Sequence, residues 1–179
     1  MGATLSIEFT FHYQKMVDRL YLISTPYMHG TLSEDLFLHL AHASNHSPKY
    51  LRRFFFLWRS RPLTIPLSFF VLKFRSFRKI IRITLKNSSL QAKQNEDAVE
   101  ENWISLITFN YAKLTKIKIP IVLFFGKEDI LISKSQAHKL QELNPDSKLY
   151  FIPRAGHLPP VETPQTLANL IMGYDKISE

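Results

Sequence analysis

A chain of 179 residues with 23 Lys plus Arg against 15 Asp plus Glu carries a formal charge of +8 with histidine neutral, and its length predicts one domain or at most two. Apolar residues at 45% and charged residues at 21% are the balance of a folded chain and exclude wholesale disorder, while the absence of cysteine excludes disulfide scaffolds, thiolate zinc sites and cysteine nucleophiles. The longest uncharged stretch of the apolar middle, Pro62 to Leu72, falls well short of the roughly 18 residues that a spanning helix needs.

No Lys or Arg precedes Lys15, and no apolar block ends in a small-residue cleavage site. The start therefore does not read as a secretory signal, and the expected compartment is the cytoplasm. On that expectation the glycosylation triplets at Asn45 and Asn87 are chance matches.

Residues 2–13 read as a helix, with Leu5, Ile7, Phe9 and Phe11 among small residues, although the alternation at 7, 9 and 11 would also suit a strand. Leu20 to Ser24 is a short apolar run stopped by Thr25 and Pro26, the pattern of a buried strand. A helix is predicted over 33–46, with Ser33 as its N-cap and Glu34 and Asp35 in the first turn, where negative charge suits the helix dipole.

Residues 48–86 are basic and aromatic, interrupted by Pro62 and Pro66, and read as two or three helices. Residues 91–101 are polar and open a further helix that runs to Asn110, with Trp103, Leu106, Ile107 and Phe109 as its apolar positions. Residues 119–125 form a nearly continuous apolar run closed by Gly126, the signature of a strand buried on both faces in a parallel sheet. An amphipathic helix over 133–143, a strand over 148–152 closed by Pro153, and a helix over 163–172 complete the order. Strand, helix, strand, helix at this spacing predicts an α/β fold with parallel pairing.

Charge divides the chain more sharply than hydropathy does. Between Leu36 and Asn95 there are 12 positive residues and no Asp or Glu, whereas the remainder carries 11 positive and 15 negative, a net of −4. A shift of that size marks residues 27–110 as a separate module set into a unit formed by residues 1–26 and 111–179. Phe54, Phe55, Phe56, Trp58, Phe69 and Phe70 interleave with the basic residues of the module. The favoured reading is a helical lid with its own aromatic core. Peripheral contact with an anionic membrane surface comes second, and nucleic-acid binding last, because no recognition motif accompanies the charge. His39, His42 and His46 share a helix face at i, i+3 and i+7, but no neighbouring carboxylate completes a ligand set, so no metal site is expected.

The five glycines, at 2, 30, 126, 156 and 173, are too widely spaced for a GxGxxG turn, a GxSxG elbow or a GxxxxGK phosphate loop. Two of them stand where chemistry is expected. Gly126-Lys127-Glu128-Asp129 follows one predicted strand and Pro153-Arg154-Ala155-Gly156-His157 follows the next, so both motifs leave the carboxyl end of the sheet, the edge at which open α/β sheets build their sites.

These motifs, with Glu162-Thr163-Pro164 after them, resemble the carboxyl-terminal part of the α/β-hydrolase fold family, in which a strand ending in GxxD presents the acid of a catalytic triad and a later GH presents its histidine. The resemblance covers residues 1–26 and about 115–175, and it implies an ester hydrolase or related enzyme with a small acyl substrate and no cofactor. It implies His157 as the base and Asp129 as the group that orients it. Met1 and Gly2 match the last two positions of the family's elbow, which would put the nucleophile one residue before Met1 and the oxyanion-hole N–H at Met1. Ser6, Ser24, Ser33, Ser133 and Ser135 lack flanking glycines and read as ordinary surface, cap or turn residues. The expectation is a truncated hydrolase that keeps the acid and base, lacks the serine, is inactive alone and would need an amino-terminal fragment to complement it. A noncatalytic module for membrane surfaces or partners, built on the same remnant, is the alternative.

Overall fold

A computed structural model describes residues 2–27, 101, 105–106 and 108–177. Residues 28–100 of the proposed lid, which hold the basic and aromatic run and the histidines at 39, 42 and 46, lie outside the described residues, as does Met1.

Every residue of strand β2 (Ile121–Gly126) is buried, as the unbroken apolar run predicts. It pairs in parallel with β1 (Leu20–Ile23) on one side and β3 (Lys148–Ile152) on the other, giving a three-stranded sheet in the order β1-β2-β3. Because side chains alternate along a strand, β2 feeds two separate cores. Ile121, Leu123 and Phe125 join Ile7 of helix α1 (Gly2–His12) and Ala137 and Leu140 of helix α2 (Lys134–Glu142). Val122 and Phe124 face the other way, onto Leu167, Leu170 and Ile171 of helix α4 (Pro164–Ile177). The result is a sheet covered by helices on both faces, the α/β arrangement expected from the element order.

Local chemistry sets the ends of these elements. Ser133 caps α2, its hydroxyl accepting the Gln136 N–H at 3.2 Å. At the far end Asn144 donates from Nδ2 to the carbonyls of Leu114 and Ile117 at 3.0 and 3.1 Å, tying the helix to the chain that enters β2. Residues 2–12 are helical, which resolves the ambiguity of the alternating pattern. Thr4, Ile7 and Thr10 form the buried face at helical spacing, and Leu5 and Phe9 are left exposed.

Three elements differ from expectation. Tyr111–Lys116 is a 3-10 helix entered through Asn110, whose side chain accepts the Ala112 N–H at 3.0 Å. Six residues are too few for periodicity to announce it. A one-turn helix, α3 (Pro159–Glu162), precedes the last helix, and α4 runs five residues beyond the expected end at Met172. Among the described residues of the stretch 91–110, Glu101, Ser105 and Leu106 are helical, while Thr108 is already in a turn.

Candidate active site

Parallel pairing of β2 and β3 brings their carboxyl ends side by side, and the turns that follow are bolted together by main chain. Lys127 donates its N–H to the Ile152 carbonyl and Glu128 donates to the Ala155 carbonyl, both at 2.9 Å. Gly126 makes this contact possible. A Cβ at that position would lie 2.0 Å from the Gly156 carbonyl oxygen and 2.4 Å from that of Ala155, so no larger residue fits. On the opposite turn Arg154 takes a left-handed conformation at φ 60°, which reverses the chain after β3 and swings the following residues back over β2.

The two turns thereby deliver Asp129 and His157 to one place. His157 Nδ1 donates to Asp129 Oδ2 at 3.0 Å. The second carboxylate oxygen is held from within its own turn, with Oδ1 accepting the N–H groups of Leu131 and Ile132 at 2.8 and 3.1 Å. The Asp129 side chain is 0% exposed and that of His157 is 23% exposed. That asymmetry matters: the carboxylate is shielded from water while the imidazole stays reachable. Since a carboxylate only accepts, Nδ1 carries a proton, and in the neutral imidazole that leaves the Nε2 lone pair available. An imidazole fixed in that tautomer can take a proton from a hydroxyl and return it to a leaving group.

The chain has the α/β-hydrolase fold. The described elements correspond to the carboxyl-terminal part of that fold, and the match to solved structures spans nearly the whole chain. A 2-hydroxy-6-oxo-6-phenylhexa-2,4-dienoate hydrolase from Rhodococcus sp. strain RHA1 is 13% identical with a TM-score of 0.70, the match covering 98% of this chain and 61% of that one. An α/β-hydrolase enzyme from a Medee basin deep-sea metagenome library is 19% identical with a TM-score of 0.69, covering 98% and 62%. A thermophilic esterase from Thermogutta terrifontis is 17% identical with a TM-score of 0.66, covering 98% and 61%. The chain thus spans about three fifths of the length of these structures. No family model and no curated protein matches the sequence.

Within the α/β-hydrolase fold, the two residues singled out by sequence are in direct contact. The serines are dispersed. Ser6 donates to the Gly2 carbonyl inside α1 at 2.9 Å, and Ser133 is the α2 cap. Ser24 does sit in a turn, at φ 46° after β1, but it is buried rather than at the surface, and its hydroxyl has no hydrogen-bond partner. Ser33 lies outside the described residues.

Sequence reading gave Glu162 no separate role. Its carboxylate accepts the Gly156 N–H through Oε2 at 2.8 Å and the Leu158 N–H through Oε1 at 2.7 Å. Among the described residues no group of three or more His, Asp or Glu could hold a metal ion, and no helix is long and apolar enough to cross a membrane.

Proposed function

We propose that these residues are the acid and base of a serine-hydrolase centre acting on an ester or related acyl bond. Nε2 of His157 takes the proton as a serine oxygen bonds to the carbonyl carbon, and it returns that proton to the leaving oxygen as the carbon–oxygen bond breaks. Asp129 keeps the imidazole in the productive tautomer and stabilises the imidazolium formed between those steps. The single observation that carries this reading is the 3.0 Å contact between His157 Nδ1 and the shielded carboxylate of Asp129.

The second part of the proposal concerns the nucleophile, which we place outside these 179 residues. No serine here is framed by glycines, and the buried hydroxyl of Ser24 has no hydrogen-bond partner. Loss of a nucleophile or of an oxyanion donor lowers rates by orders of magnitude. The 179-residue chain by itself is therefore expected to leave p-nitrophenyl acyl esters intact, and turnover abolished by His157→Ala would overturn that part. Supplying an amino-terminal polypeptide that bears a Gly-x-Ser-x-Gly turn is expected to restore hydrolysis. Restored turnover that is indifferent to both His157→Ala and Asp129→Asn would sink the acid and base assignment.

A further inference from the structure

Glu162 takes no part in the proton transfer, yet both of its carboxylate oxygens engage the turn that carries the base. The N–H groups they accept belong to Gly156 and Leu158, the residues on either side of His157, at 2.8 and 2.7 Å. Each member of the pair is thus held by a two-pronged contact. Asp129 is a carboxylate gripped by two amides of its own turn, and His157 sits between two amides gripped by a carboxylate.

We propose that Glu162 is a positioning residue for His157, fixing the main chain on both sides of the imidazole so that Nδ1 stays on Asp129; this rests on the reading of His157 as the base. The chemistry requires a carboxylate. Hydrogen bonds to an ionised acceptor are shorter and roughly twice as strong as neutral ones, and only a carboxylate accepts at both of its terminal atoms. Glutamine has the right length, but its amide nitrogen would meet one of the two N–H groups donor to donor. The support under Glu162 is itself stiff. It ends a single helical turn that opens with Pro159 and Pro160, whose φ angles are set by their rings, and its own N–H donates to the Leu158 carbonyl at 2.9 Å. Released from this clamp, the main chain at His157 could turn and carry the ring off Asp129, whose own position would not change.

Nitrogen-15 NMR of the full chain tests this without any turnover. In the unsubstituted protein His157 is expected as the Nδ1–H tautomer, with the Gly156 and Leu158 amides exchanging with solvent at least about tenfold more slowly than unprotected loop amides. Glu162→Gln is expected to speed exchange at one or both amides by about tenfold and to turn His157 into a mixture of tautomers, while the β2 amides keep their shifts. A His157 pattern identical to that of the unsubstituted chain, with β2 intact, overturns the proposal. Should the variant not fold, the unsubstituted chain still decides: Gly156 and Leu158 amides that exchange like unprotected ones overturn it. A failure of the underlying reading looks different. It would appear as a His157 without the Nδ1–H tautomer in the unsubstituted protein, unaltered by Asp129→Asn.

Discussion

Gly126 and the Gly156 carbonyl meet with no room for a single added carbon, since a Cβ on Gly126 would stand 2.0 Å from that oxygen. The obstacle is main chain on both sides, so no rotamer change relieves it. Gly126→Ala must push the histidine turn away from the acid turn, and overpacking of this kind costs about 3 kcal/mol. Urea unfolding should show a midpoint reduced to match. In whatever folded fraction remains, the His157 ring should no longer report contact with Asp129. A variant of unchanged midpoint would mean that the two turns are not packed as described.

Two substitutions at Asp129 should separate its structural from its chemical part. Asparagine keeps an oxygen for the N–H groups of Leu131 and Ile132 and so should cost little stability, about 1 kcal/mol or less. Its amide nitrogen would then face His157 as a donor, which demands an acceptor at Nδ1 and moves the ring proton to Nε2. The tautomer would be reversed with the fold intact. Alanine instead strands two N–H groups and should cost about 2–4 kcal/mol. Chemical denaturation orders the pair, and ring nitrogen shifts reveal the tautomer; equal stabilities for the two variants would contradict the Oδ1 contacts.

The pairing of Asp129 and His157 was legible because its signals are local: a strand buried on both faces needs an unbroken apolar run, and a turn that passes close to its neighbour needs glycine. Gly126 therefore marks its turn in sequence, and the contact of Asp129 with His157 follows from parallel pairing of the strands before them. The Glu162 clamp was not legible, because a glutamate opening onto Thr163-Pro164 looks like any helix-terminal residue until the turn at Arg154 folds the amides of Gly156 and Leu158 onto it. The 3-10 helix at Tyr111–Lys116 escaped for a different reason. It is held by tertiary contacts, including Gln14, which donates to the Lys116 carbonyl and accepts the Lys118 N–H, and no periodic pattern encodes them. Ser24, expected as a surface, cap or turn residue at the end of a buried strand, does sit at the end of β1 and is buried there.

Aromatic rings run across one face of the sheet. Phe124 of β2 stacks against Tyr150 of β3 at 5.5 Å between centroids and against Tyr21 of β1 at 6.2 Å, and its side chain is wholly buried against the core that includes Leu167. Phe124→Ala would remove the middle ring and leave a cavity between the sheet and α4. Large-to-small changes at such positions cost about 3–5 kcal/mol. Phe124→Leu keeps most of the volume and should cost less than half as much. Thermal or urea unfolding of the two variants checks the order, and similar losses would show that ring stacking rather than filled volume dominates.

Glu8 of α1 accepts from Lys113 Nζ at 2.6 Å, joining the first helix to the segment that leads into β2. The lysine ammonium, chiefly through this hydrogen bond, holds the Glu8 carboxyl below its ordinary value of 4.5, with a smaller contribution from His12. A carboxylate whose folded pKa is depressed adds stability above its unfolded pKa, and that addition disappears as pH falls through the folded value. Acidification from neutral pH, past 4.5 and on through the depressed folded value, should therefore progressively erase the advantage of the native chain over Glu8→Gln. The effect will be small because the pair is solvent-accessible, and added salt should shrink it further. Comparing urea midpoints of the two proteins at both pH values, in low and in high salt, is the check. A difference that persists unchanged at low pH would show that Glu8 contributes through packing of its methylenes against α1 and Lys113 rather than through its charge.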